Sequence, residues 1–351
     1  MKYISTEHLQ PGMISQKAIY DDRGVRLLAA NHEVTAELLV TLKRIHYPGL
    51  FIYDEFSKFE NIREVFSEEK RVDTVKAMKK LDTEKVMYFS TDIVNNLVDM
   101  DDRLIELAHL RQNNHDIYNH SINVAILSAA CGLGMGWGDE KVEELTLAAM
   151  LHDIGKSKIP DRILYKPGPL NDEEWRIMGE HPQIGYDMLY NDVKITTNVR
   201  MGILLHHENV DGTGYPRKLK GQKIPEFARI IHIADVYDAM IQKRSYKEAY
   251  DPGEVIVYLM EKGGEMFDFE TLETFLSYVV IYPVGINVTL TNGRIARVVE
   301  NHQSNQLRPV VVDIETMEKI DLETDPNYQN IAIVGADQIF HEGDGLGKPN
   351  L

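Results

Sequence analysis

His152-Asp153-Ile154-Gly155-Lys156 (HDIGK) sits where an apolar helical run ends. It is one of five ordered segments rich in metal-ligand side chains. Before it stands HDIYNH (His115–His120). After it come His181-Pro182, then HHENVDGTGYP (His206–Pro216), then Ala234-Asp235. Taken singly, His181 reads as an ordinary core or surface histidine, and Asp235 as an ion-pair partner between packed helices. Together the segments supply eight candidate ligands: Asp116, His120, His152, Asp153, His181, His206, His207 and Asp235. All are imidazoles or carboxylates, a donor set that suits iron, manganese or zinc. Eight ligands exceed the need of one six-coordinate ion, so two or three divalent ions are expected. A multinuclear centre of this kind points to hydrolysis of phosphate esters.

Spacing gives each residue a role. Asp116 and His120 are four apart and share a helix face. Asp153 is placed to bridge two ions while His152 holds one. Lys156 follows on the same side and can neutralise a substrate phosphate. His206 and His207 would project about 100° apart on a helix, so that one segment serves two ions. Glu208 either orients an imidazole or faces solvent. His232, one turn before Asp235, is expected to support the site or the core rather than to ligate.

Outward from these segments the chain divides by pattern. Residues 111–280 read as helix after helix, with Asn171 as a cap and breaks at Lys166-Pro167-Gly168-Pro169 and Asp211-Gly212-Thr213-Gly214. Residues 58–110 read as a helical connector, with 3.6-residue apolar spacing over Glu68–Leu81 and Thr91–Leu110. Residues 1–57 read as a small α+β module in which Thr35 caps a helix. Residues 281–351 turn to short strands around Asn292-Gly293, a hairpin signal. The expected class is therefore mainly α: a helical-bundle core with a small N-terminal α+β module and a small C-terminal β-rich extension.

Composition narrows the function. The chain has 351 residues, a net charge of −17 and one cysteine, Cys131. The acidic balance argues against duplex nucleic acid as a partner. A single cysteine permits no intrachain disulfide and fits a reducing compartment. Nothing approaches the roughly 20-residue apolar run of a membrane span, and no signal peptide opens the chain, so a cytoplasmic protein without membrane attachment is expected. The helices between Glu68 and Leu110 leave room for a homodimer or a signalling-protein partner.

The ordered set HDIGK, HPQIG, HHENVDGTGYP and ADVYDAM resembles the HD-GYP domain, a subgroup of the HD phosphohydrolase superfamily, over about residues 110–280. The resemblance implies a phosphodiesterase that hydrolyses cyclic di-GMP with metal-activated water, giving pGpG and often GMP. It implies metal ligands at His120, His152, Asp153, His181, His206, His207 and Asp235. It implies a phosphate-contacting Lys156 and substrate-binding Arg244 and Lys247. Tyr215 of the Gly214-Tyr215-Pro216 turn would stack on or border a base. Members with three metals carry a glutamate where this chain has Asp116. A receptor that binds cyclic di-GMP without cleaving it, or a hydrolase for another cyclic dinucleotide or nucleotide, is the competing reading.

Overall fold

The computed structural model describes residues 2–21, 24–47, 49–59, 65–100, 104–106, 110, 117–241 and 252–336. Asp116, Arg244 and Lys247 lie outside them. The architecture is mainly α, with small sheets toward either end.

In the N-terminal part, β1 (Lys2–Ser5), β2 (Ile14–Ser15), β5 (His32–Glu33) and β6 (Gly49–Ile52) form a sheet of order β1-β6-β2-β5. The pair β3 (Ile19–Tyr20) and β4 (Arg26–Leu28) lies apart from it. Helix α1 (Ala36–Arg44) starts as expected, with Thr35 accepting from the Leu38 amide, and it buries Leu38, Leu39 and Leu42.

Helices α2 (Glu68–Lys79) and α3 (Thr83–Val98) follow. The apolar repeat of Thr91–Leu110 does not continue as helix. It stops at Val98, and Ile105 instead donates its amide to the Tyr278 carbonyl, in a bridge with Val279. Met78, Ile93 and Leu97 from α2 and α3 bury in the same apolar core as the helices that follow.

Helix α4 (Ile117–Gly134) is the hub. It is apolar on every side and buried from Ser121 to Leu133, the pattern of a central helix. Around it pack α5 (Asp139–Leu151), α10 (Glu226–Ile241) and α12 (Phe269–Tyr278). Between them run α6 (Asp161–Leu164), α7 (Asp172–Met178), α8 (His181–Met188) and α9 (Thr197–Leu205), with α11 (Pro252–Glu261) before α12. Asn171 caps α7 in a full capping box with Glu174. Cys131 is buried in α4, and burial pushes its thiol up to about 12, so it is a packing residue.

The C-terminal sheet has order β10-β9-β8-β7-β11, from β7 (Asn287–Leu290), β8 (Ile295–Glu300), β9 (Val310–Asp313), β10 (Lys319–Asp321) and β11 (Ile333–Ala336). Asn292-Gly293 turns β7 into β8 as expected, with Gly293 at φ 82°. Phe56 packs against Val299, Val310 and Val312 of this sheet. Arg297 lies over the Phe56 ring and donates to Asp54 at 2.9 Å. The segment leaving the N-terminal module is thereby fixed to the C-terminal sheet.

One close approach bears on the site. Gly155, just after His152-Asp153, packs directly against the start of α8. A Cβ there would collide with the carbonyl oxygen of His181 and the amide of Gly185, both backbone atoms that cannot yield cheaply. Gly155→Ala should therefore lower stability by about 1–3 kcal/mol, the usual cost of overpacking, and displace His181. Denaturant unfolding is the check, and a wild-type transition would contradict the close packing.

Candidate metal centre

His152 and Asp153 stand at a helix end, as expected, whereas His206 and His207 do not lie within a helix as their spacing suggested. Most of the ligand residues stand at helix ends. His152 caps the C-terminus of α5, and Asp153 follows it. His206 caps the C-terminus of α9, with His207 next. His181 opens α8, three residues after α7 ends. The end of a helix leaves carbonyls without intrahelical partners, and each of these imidazoles takes one. Nδ1 of His152 donates to Ala149 O, that of His181 to Met178 O and that of His206 to Ile203 O, each at 2.7 Å. A carbonyl only accepts, so Nδ1 carries a proton, and in the neutral ring Nε2 keeps its lone pair. This is how proteins commonly orient metal-binding histidines.

Those lone pairs converge. Nε2 of His181 lies 3.4 Å from Nε2 of His206 and 3.2 Å from Nε2 of His207. Nδ1 of both His181 and His206 is already engaged by a carbonyl, so it is the two Nε2 atoms that meet. Burial and the neighbouring imidazoles hold His206 and His207 well below the usual histidine range, which keeps them neutral. His152 Nε2 and Asp153 Oδ1 are buried without a hydrogen-bond partner. Converging ring nitrogens and orphaned buried acceptors fit a bound cation.

Asp153 is the centre of the arrangement. Its Oδ1 lies 3.3 Å from His181 Nε2 and 3.9 Å from His206 Nε2. Its Oδ2 lies 3.4 Å from His152 Nε2, 4.0 Å from His120 Nε2 and 2.5 Å from Lys156 Nζ. The two oxygens thus face two different sets of imidazoles. Ligand atoms within 4.8 Å of one another group as Asp153, His181, His206 and His207, as His120, His152 and Asp153, and as His152, His206 and Asp235. Burial would raise the Asp153 carboxyl, but the Lys156 ammonium beside it leads the opposing effects and holds it well below the carboxylate range.

His120 differs because it lies inside α4, where nearby carbonyls serve the helix. Its Nδ1 meets Asp238 Oδ2 at 2.6 Å and its Nε2 meets Asp235 Oδ1 at 2.9 Å. Burial pulls its pKa down, yet the two carboxylates outweigh that and raise it to about 9. Asp235 also faces His207 Nδ1 at 3.9 Å. The sequence reading missed Asp238. Its signal was available, because Asp235 and Asp238 are three apart on one face of an otherwise apolar helix.

The loop after α9 forms one wall. The His206-His207 pair is not splayed by about 100° on a helix. The helix has ended, and the ring centroids lie only 4.0 Å apart. Glu208 neither orients an imidazole nor faces solvent. It is buried and accepts from the amides of Arg217 (2.6 Å) and Leu219 (2.8 Å), which closes the loop. Gly214 passes so close to Asn209 and His207 that a Cβ would strike their backbone. Tyr215 stacks on the His207 ring at 4.7 Å, so loop packing already occupies one of its faces. His232 donates from Nε2 to Asn209 at 2.9 Å and supports the loop without ligating. Burial lowers it to about 4, which keeps it neutral.

Comparison with known proteins agrees with this layout. The family model described as HD domain matches residues 96–271, half of the chain. A cyclic di-GMP phosphodiesterase from Pseudomonas aeruginosa is 39% identical over 208 residues, covering 59% of this chain and 50% of that protein. The cyclic di-GMP phosphodiesterase response regulator RpfG from Xanthomonas campestris pv. campestris is 42% identical over 143 residues, 40% of this chain and 38% of that one. A 3′3′-cGAMP-specific phosphodiesterase from Vibrio cholerae is 34% identical over 191 residues, 53% of this chain and 37% of that one. The chain spans half or less of the length of these relatives. A solved HDG"Y"P protein from Bdellovibrio bacteriovorus aligns with a TM-score of 0.51 at 17% identity, covering 78% of this chain and 97% of that one, a likeness of fold. The family match takes in every histidine and aspartate described above, and the chain belongs to the HD domain family.

Proposed function

We propose that this chain is a metal-dependent phosphodiesterase that hydrolyses cyclic di-GMP to pGpG or onward to GMP. The carrying observation is the division of Asp153, one oxygen toward His181 and His206, the other toward His120 and His152. A carboxylate so placed suits two cations side by side. Relatives named as cyclic di-GMP phosphodiesterases support the substrate. His120, His152, Asp153, His181, His206, His207 and Asp235 would hold the ions, with iron or manganese preferred over zinc. When bound, the ions would supply Lewis acidity toward the phosphate and activation of the attacking water.

The remaining roles fall to residues of the chain. The Lys156 ammonium is partly open to solvent beside Asp153, where it can neutralise a phosphate oxygen. Arg244 and Lys247 would clamp a phosphate of the dinucleotide, Arg244 by a two-pronged contact. Asp116 would complete a third metal site. The case for these three residues is their order in the sequence around His120 and Asp235. The exposed edge of Tyr215 would border a guanine. In this reading residues 111–280 form the catalytic unit. Residues 58–110 link it to a regulatory module at 1–57, and 281–351 form an extension. Among the described residues no helix is long and apolar enough to cross a membrane.

A second reading has a specific observation behind it: some relatives are named as specific for 3′3′-cGAMP. Incubating Mn²⁺-loaded protein with cyclic di-GMP, 3′3′-cGAMP and cyclic di-AMP, and resolving products by chromatography, separates the readings. We expect cyclic di-GMP to be cleaved fastest. Preference for 3′3′-cGAMP would replace the substrate assignment, and nucleotide bound but uncleaved would favour a receptor. In Asp153→Ala, bound metal and turnover should both fall by more than about a hundredfold, beyond the loss typical of groups that only orient a ligand. Circular dichroism should show the helices retained. Unchanged metal content and activity would exclude the bridging role.

A further inference from the structure

His120 needs an acceptor for Nδ1, and the chain of bonds behind that acceptor reaches outside the segment matched by the family. Asp238 Oδ1 accepts from Asn123 Nδ2 at 3.0 Å. Asn123 Oδ1 accepts from Arg71 Nη1, also at 3.0 Å. Arg71 belongs to α2, upstream of residues 96–271, yet its side chain is fully buried. Asn123 and Asp238 are buried as well. Burying a guanidinium costs several kcal/mol after relaxation. Apolar replacements of buried ionic groups are often neutral or stabilising, so stability is a weak reason for an arginine here.

The polarity of the chain of bonds supplies a reason. An amide can present either end to a neighbour. A guanidinium only donates, so Arg71 fixes the Asn123 oxygen toward itself and the NH₂ toward Asp238. Asp238 then accepts from Asn123 at Oδ1 and from His120 Nδ1 at Oδ2. With its Nδ1 proton held by Asp238, His120 presents Nε2 toward Asp153 and Asp235, the position from which it would give up its second proton to a cation. With the amide reversed, the Asn123 oxygen would oppose the Asp238 carboxylate.

We propose that Arg71 is a positioning residue for His120, acting through Asn123 and Asp238, and that α2 is thereby part of the metal site. The inference rests on His120 being a metal ligand, as in the function proposed above. A shift of α2 would then be felt at the metals without any change in the ligands themselves.

The test is Mn²⁺ titration into metal-stripped wild type, Arg71→Met, Arg71→Lys, Asp238→Asn and the double variant R71M/D238N, with thermal midpoints and steady-state kinetics alongside. In Arg71→Met, affinity at one Mn²⁺ site should fall about tenfold or more, as for other groups that orient a ligand. In the same variant kcat should fall while KM stays within about twofold. Arg71→Lys, which keeps a donor for Asn123, should recover part of the affinity. The double variant should bind Mn²⁺ no more weakly than Asp238→Asn alone, because both changes break one chain of bonds. Wild-type affinity in folded Arg71→Met, or additive losses in the double variant, would overturn the proposal. Should Arg71→Met not fold, the isosteric Asn123→Asp carries the test. It keeps the acceptor for Arg71, removes the donor to Asp238 and should weaken Mn²⁺ binding equally, and wild-type affinity there would overturn the proposal. A wild-type protein that binds no Mn²⁺ would instead defeat the metal-site reading itself.

Discussion

The buried Asp153 carboxylate is the constraint around which the helices are arranged. An isolated charge in that position would be prohibitively costly. It is tolerated because Lys156 and imidazoles from the ends of α5 and α9, the start of α8 and the first described turn of α4 surround it. His152 Nε2 and Asp153 Oδ1 have no hydrogen-bond partner, and His181 meets His206 and His207 nitrogen to nitrogen, so the protein alone leaves part of the cluster unsatisfied. Cations between them would resolve both problems. The metal centre and the fold are therefore one requirement: the helices must end where their last carbonyls can orient His152, His181 and His206.

That economy explains why the site resists perturbation from some directions and not others. Three histidines are oriented by backbone, which no substitution of a neighbouring side chain removes. His120 alone depends on a succession of side chains through Asp238 and Asn123 to Arg71. Backbone therefore orients the histidines on the side of α8 and α9, and side chains orient the one facing α2. The contact of Arg297 with Asp54 and Phe56 shows that segments flanking the helical core are also fixed to one another.

Much of this was legible in the sequence, for physical reasons. Residues that ligate metals are chemically distinctive, so HDIGK and HHENVDGTGYP stand out. The apolar surround of α4 and α10 and the caps at Thr35 and Asn171 carry strong local signals. What escaped depends on contacts between distant residues. The repeat over Thr91–Leu110 looks helical throughout, but Ile105 gains more by pairing with the chain beside α12. Strands as short as β2 and β5 have too few residues for a pattern. Glu208 looked like a companion of the histidines because it adjoins them. Its carboxylate instead serves amides nine and eleven residues later, which spacing does not announce. Arg71 gave no sign of its role, since an arginine in a charged helix normally faces water.

The most direct test of the central claim is anomalous X-ray diffraction at the manganese edge from crystals of Mn²⁺-loaded protein. The account predicts at least two peaks, about 3.5–4 Å apart as in other paired-metal sites, flanking the Asp153 carboxylate. A single peak away from Asp153, or none between His120 and His181, would contradict it.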